Sequence, residues 1–265
     1  MIVSIASGKG GTGKTTVATN LARILNKDTL LLDCDVEEPN CHIFLKPRID
    51  YSKKVTIPVP EVDLEKCNRC GKCGEICRFN AILAMKETVL IFPELCHGCG
   101  GCKLVCPTDA IKEVGREIGV VEKGWAGDIK FFHGKLRIGE PMAPPLIKAV
   151  KSNINSEKTI IIDSPPGTSC PVIESIKGSD ICLLVTEPTP FGLNDLKLAV
   201  EMTRELDIPI EIVLNRCNTG DKGVYKYCKS ENIEIIMEIP IDKKIAECYS
   251  EGGLIVDRFP EYREY

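Results

Sequence analysis

The sequence predicts an α/β protein with a mostly parallel sheet covered by helices on both faces, interrupted by a small cysteine-rich module. Three observations lead there. Short continuous apolar runs alternate with stretches of helical periodicity, the pattern of buried parallel strands and crossover helices. The first apolar run leads into a Gly-rich loop, Gly8-Lys9-Gly10-Gly11-Thr12-Gly13-Lys14-Thr15. Eight of the 15 cysteines fall into two matching runs, Cys67-x2-Cys70-x2-Cys73-x3-Cys77 and Cys96-x2-Cys99-x2-Cys102-x3-Cys106.

Taken in order, Ile2–Ala6 is a β-rich apolar run that ends in the Gly-rich loop. Lys14–Asn26 sets Val17, Leu21, Ile24 and Leu25 on one helical face. Thr29–Leu32 is a second strand, closed by Asp33-Cys34-Asp35. The rhythm resumes after residue 112, with strands at Thr159–Ile162, Ile181–Val185, Ile210–Leu214 and Ile233–Ile239. Helices are expected at Ala143–Asn153, Leu193–Leu206, Lys222–Ser230 and Lys243–Ser250. Arg116–Glu140, rich in Gly and β-formers, is expected to add one or two antiparallel edge strands.

The cysteine module divides the chain into residues 1–60, an insertion at 61–112, and residues 113–265. Its halves repeat at an offset of 29 residues, and Asn80-Ala81-Ile82 falls on Asp109-Ala110-Ile111. Such duplication predicts a pseudo-two-fold α+β unit. Seven acidic and seven basic residues between 61 and 112 leave it without a charge signature for a partner.

Composition narrows the function. A net charge of −4 and the lack of a basic stripe give no reason to expect nucleic acid. No apolar run approaches the ~18 residues of a membrane span. Fifteen cysteines behind a start without a secretory signal point to a reducing cytoplasm and to metal ligands rather than disulfides.

The Gly-rich loop fits a phosphate cradle. Its backbone N–H groups and the following helix N-terminus meet phosphate oxygens, Lys14 neutralises the β and γ phosphates, and Thr15 ligates Mg2+. The cysteine spacing is that of a two-cluster bacterial ferredoxin, in which the fourth ligand of each run serves the other cluster. Cluster one then takes Cys67, Cys70, Cys73 and Cys106; cluster two takes Cys96, Cys99, Cys102 and Cys77. Zinc is the rival, although its four-cysteine sites more often pair two separated Cys-x2-Cys knuckles. Arg78 stands where a proline would normally follow the fourth cysteine, and a cation there would favour the reduced cluster.

Lys9-Gly10-Gly11-Thr12-Gly13-Lys14-Thr15-Thr16 resembles the deviant phosphate loop of the MinD/Mrp/ParA superfamily, which includes the nitrogenase iron protein. Asp33-Cys34-Asp35 resembles that family's first switch, and Ile160-Ile161-Ile162-Asp163-Ser164-Pro165-Pro166-Gly167 its second. Leu214-Asn215-Arg216-Cys217-Asn218 is similar to its base-reading segment and lacks the Asn-Lys-x-Asp of a GTP site. Together with Thr186–Leu193, the insertion resembles the branch of this superfamily that carries a ferredoxin domain.

The resemblance implies ATP/ADP and Mg2+ as ligands. Lys9 would reach across a homodimer interface to the partner's nucleotide, a charge supplied in trans. Asp35 would orient water or Mg2+, Asp163 would hold Mg2+ through water, and Gly167 would offer its N–H to the γ-phosphate. Asn215 would read the base, with Asp242 of Pro240-Ile241-Asp242 at its border. Asp33 and Asp35 could instead cap the next turn. Of the seven other cysteines, most read as small core residues. Cys170 alone suggests more, since its distance from Asp163 resembles that of a cluster ligand in the nitrogenase iron protein.

Three functions compete. The first is an ATPase coupling hydrolysis to electron transfer through two 4Fe-4S clusters, with a redox protein as donor or acceptor. The second is a cluster carrier of the Mrp type, against which eight tightly spaced ligands weigh. The third is a MinD- or ParA-like switch, for which the tail Gly252–Tyr265 lacks a basic amphipathic helix.

Overall fold

The computed structural model describes residues 1–155 and 159–264, so Tyr265 of the tail lies outside the described residues. The first half contains β1 (Ile2–Ala6), α1 (Lys14–Leu25), β2 (Thr29–Asp33), α2 (Cys41–Leu45) and β3 (Arg48–Val62). The cysteine segment adds α3 (Lys72–Ile76), β4 (Ile82–Ala84), β5 (Val89–Ile91) and α4 (Gly101–Leu104). Then come β6 (Ile111–Ala126), β7 (Ile129–Leu136), α5 (Ala143–Lys151), β8 (Thr159–Asp163) and α6 (Cys170–Ile176). The chain continues through β9 (Ile181–Thr186), α7 (Pro190–Arg204), β10 (Ile210–Asn215), α8 (Gly223–Glu231) and β11 (Glu234–Ile239). It closes with α9 (Lys243–Ser250) and α10 (Ile255–Arg258).

Nine strands form one sheet in the order β11-β10-β9-β1-β8-β2-β7-β6-β3. Pairing is parallel from β11 through β7, then antiparallel for β7–β6 and β6–β3. Continuous apolar strands have this outcome because successive side chains point to opposite faces and both faces need cover. Leu31 packs with Ile5, Ile161 and the Val17, Ala18 and Ala22 stripe of α1. Leu30 and Leu32, one residue away on either side, pack with Ile160, Ile162 and the α5 residues Leu146, Ile147 and Val150. Each such buried aliphatic contributes about 1.5–3 kcal/mol.

The helical face expected for α1 is shorter than predicted. Val17 is buried and Leu21 packs partly, but Ile24 and Leu25 are exposed, and Ala18 and Ala22 complete the buried stripe. Among the described residues no helix is long and apolar enough to cross a membrane.

The edge departs most from expectation. Arg116–Glu140 supplies β7, which runs parallel to β2, and most of β6; the outermost strand is β3, which sequence pattern did not announce. Its first half is polar and exposed, and Pro58 and Pro60 argue against a central strand. At an edge neither feature is a fault, because the outer side of the strand has no ladder partner and a proline, which has no N–H to donate, costs no bond there. Beyond Gly119 the β3–β6 ladder leaves β7 behind and continues as a two-stranded arm, from Thr56↔Glu117 to Val62↔Ile111.

The cysteine segment hangs from that arm. Its backbone repeats as its sequence does. Arg69 and Gly98 have φ of 60° and 66°, Gly71 and Gly100 of 82° and 72°, Asn80 and Asp109 of 52° and 48°. β4 and β5 form a small antiparallel hairpin, with Ile82 opposite Ile91.

Candidate functional site

β1 ends mid-sheet between β9 and β8, and the Gly-rich loop turns from its end into α1. Gly13 carries φ of 102°, and a Cβ there would lie 2.6 Å from Asn215 Nδ2. Gly8 lies so close to α7 that a Cβ would collide with the Asp195 carbonyl. No side chain caps the start of α1, which leaves its first N–H groups available to an anion. Lys14 is buried, and burial lowers its pKa while Asp163 and Asp35 pull it back up. Gly10 and Gly11 lie in the turn, Thr12 is buried with an unpartnered Oγ1, and the Thr16 carbonyl accepts from Asn20.

Beside the lysine the sheet gathers carboxylates. Asp33 and Asp163 end adjacent strands and are partners in register. Thr15 Oγ1 donates to Asp163 Oδ2 at 2.7 Å, and the Cys41 thiol donates to the same oxygen at 3.2 Å. Asp33 accepts from the Asp35 and Cys41 backbone N–H groups at 3.2 and 3.0 Å. Asp163 Oδ1 is buried with no partner. Burial pushes Asp163 up and Asp33 well up; burial and Asp163 raise Asp35 to about 6 against the pull of Lys14. An orphaned carboxylate oxygen in such a group suits a hard divalent cation. Asp33, Cys41 and Asp163 each place a ligand atom within 4.8 Å of the others. Asp33 was legible as the last residue of an apolar strand; nothing in the sequence marked Cys41.

Three predicted residues are otherwise engaged. Lys9 Nζ lies 3.4 Å from Glu187 Oε2, and Arg216 holds the other Glu187 oxygen at 2.6 Å. The Gly167 N–H donates to the Ser7 carbonyl at 3.0 Å. Asp242 caps α9 through the Lys244 N–H at 2.8 Å, and Tyr262 Oη donates to its second oxygen at 2.9 Å. Asn215 meets the loop, its Nδ2 donating to the Thr12 carbonyl at 2.8 Å. Glu187 follows directly on β9, and no motif signalled its contact with Lys9.

The eight cysteines sort into two cavities. Cys67, Cys70, Cys73 and Cys106 line one, with Val62, Ala84, Val89 and Ile111 around them. Cys77, Cys96, Cys99 and Cys102 line the other, against Pro58, Pro60, Phe79 and His97. Backbone N–H groups of Ala81 and Ala110 each donate to a cysteine sulfur, Cys77 and Cys106, at 3.3 Å. The second cavity joins the main body. Cys96 and Ala81 pack in the same apolar cluster as Leu32, Ile57 and Ile162, whereas Cys67, Cys73 and Cys106 of the first quartet pack around Ile82, Val89 and Ile111, together with Cys77 and Cys102 of the second.

Elsewhere Cys34, Cys41, Cys182, Cys228 and Cys248 are buried, Cys217 is half-buried and Cys170 is exposed. His42 and His133 face each other with ring centroids 5.4 Å apart, and His97 stacks on Phe79. Trp125 is partly exposed on the edge ribbon.

Residues 3–255 match the family described as the CobQ/CobB/MinD/ParA nucleotide binding domain. An uncharacterised protein of Methanocaldococcus jannaschii is 36% identical, over 97% of this chain and 90% of its own length. An iron–sulfur cluster carrier protein of Aquifex aeolicus is 25% identical, over 98% of this chain and 63% of its own. Among solved structures, the septum site-determining protein MinD of Pyrococcus horikoshii, complexed with Mg-ADP, superposes with a TM-score of 0.60. That match covers 99% of this chain and 90% of MinD at 21% identity.

Proposed function

The chain belongs to the CobQ/CobB/MinD/ParA nucleotide-binding family, and from that membership we propose that this P-loop ATPase couples dimer-dependent ATP hydrolysis to electron transfer through two 4Fe-4S clusters. The sorting of eight cysteines into two quartets, each completed by the other run's fourth cysteine, supports the redox half. Backbone N–H donors to Cys77 and Cys106 match what cluster-bound sulfurs accept.

In the nucleotide site Lys14 would neutralise phosphate charge, and Thr15 and Asp163 would hold Mg2+, Asp163 having one buried oxygen without a protein partner. Asp35, beside Lys14 and Asp163, would orient the attacking water. Asn215 sits where loop and base would meet. Lys9 acts in the partner's site after leaving Glu187. Each cluster would supply one-electron storage, and the arm of β3 and β6, from which the cysteine segment hangs, would present it to a redox partner.

Anaerobic reconstitution tests the reading. It should yield about eight irons and eight acid-labile sulfides per chain, with a one-electron EPR titration that shifts when a non-hydrolysable ATP analogue is added. Zinc in place of iron would defeat the redox assignment. The likeness to a cluster carrier supports a second reading, delivery of a cluster; release to an apo-acceptor on ATP addition would favour it, and retention would exclude it.

A further inference from the structure

Arg116 lies on β6 opposite Ile57 of β3, so both side chains occupy the same face of the arm. Ile57 belongs to the apolar cluster that contains Cys96. An arginine is thus planted in a buried layer beside the second cysteine site, and its side chain is only 14% exposed. Its two terminal nitrogens form a fork with Glu140, one bond at 3.1 Å. Glu140 is more deeply buried still, and its Oε1 also accepts from the Met142 N–H at 3.1 Å.

The fork engages both terminal nitrogens and leaves the third nitrogen aside. Arg116 Nε is buried and has no hydrogen-bond partner. A buried donor left unpaired is costly, so an acceptor is expected nearby. Besides Glu140, Glu94 and Cys96 lie near enough to act on the guanidinium electrostatically. Cys96 is the buried member of its quartet.

Resting on the assignment of a cluster to Cys77, Cys96, Cys99 and Cys102, we propose that Arg116 is a positioning residue that raises the reduction potential of that site alone. One added electron makes the site one charge more negative, and a buried cation stabilises that state in a low dielectric. Glu140 opposes the effect in charge while it fixes the guanidinium in place. At the other quartet the cavity-lining cations, Arg69 and Lys72, are exposed and screened by water.

The test is potentiometric EPR on the anaerobically reconstituted protein, with Cys106→Ser identifying the signal that survives when the first site is lost. Arg116→Met should lower the second site's reduction equilibrium at least tenfold, about 59 mV for one electron, and leave the first unchanged. Glu140→Gln should move the same signal upward. Equal shifts at both sites, or none with iron content intact, would overturn the proposal. Should Arg116→Met fail to hold iron, Glu140→Gln decides alone: an upward shift upholds the assignment and no shift overturns it. A wild-type protein that binds no iron would instead remove the cluster reading on which the proposal stands.

Discussion

Lys9 and Glu187, 178 residues apart in sequence, meet as an ion pair with Nζ 3.4 Å from Oε2. Glu187 is nearly buried and shared with Arg216, whereas Lys9 is one-third exposed. The lysine that would serve a neighbouring subunit is therefore held at home by its own chain. Its release costs little, because a part-exposed pair is worth about 1 kcal/mol or less.

Lys9→Ala should abolish hydrolysis and spare nucleotide binding, measured by turnover and by fluorescent-nucleotide titration. Glu187→Gln should raise the fraction of ATP-induced dimer severalfold in sedimentation velocity. An unchanged dimer fraction would mean that the pair exerts no restraint.

Cys106→Ser should remove the first site and keep the second, because Cys106 lines the cavity of Cys67, Cys70 and Cys73. Iron content should fall to about half, one cluster of two. Loss of the signal that depends on Cys96 would mean that each run ligates its own cluster.

Gly8→Ala introduces a methyl against the Asp195 carbonyl, a contact with backbone that no rotamer relieves. Overpacking of that kind costs about 1–3 kcal/mol. Urea denaturation should show the loss, and nucleotide affinity should fall with it; a wild-type midpoint would show that α7 yields freely.

Acid should weaken the fold through His133. Burial holds its pKa below the usual histidine value and outweighs the pull of Glu122. The unfolded chain then binds the proton more readily than the folded one, so stability drops as pH falls through about 6.5. The loss in thermal midpoint between pH 7.5 and pH 5.5 should be smaller in His133→Gln, effects common to both proteins cancelling in the comparison. Equal losses would assign the acid sensitivity to other groups.

The parallel core was legible because buried strands such as Leu30–Leu32 must be apolar on both faces. Both cysteine runs were legible too, ligand chemistry leaving little freedom in spacing. β3 was not: an edge strand tolerates Lys53, Lys54, Pro58 and Pro60, so its sequence resembles a loop. Cys41 and Glu187 stayed hidden for another reason. Each acts through a contact across more than 100 residues, and no local pattern encodes such a meeting.

The last rung of the arm sets Val62 opposite Ile111, so the chain leaves and re-enters the sheet at a single joint. Covalently everything between is a pendant on one stem, although Ala81 and Cys96 pack back into the apolar cluster of the sheet. The stem can be cut and re-capped with a tight hairpin turn without rethreading any strand of the nucleotide-binding sheet. The same joint would accept inserts of other lengths, since closing a loop twice as long costs only about 0.6 kcal/mol more. Architecturally the molecule is a motor with a socket, and the cysteine segment is what is plugged into it.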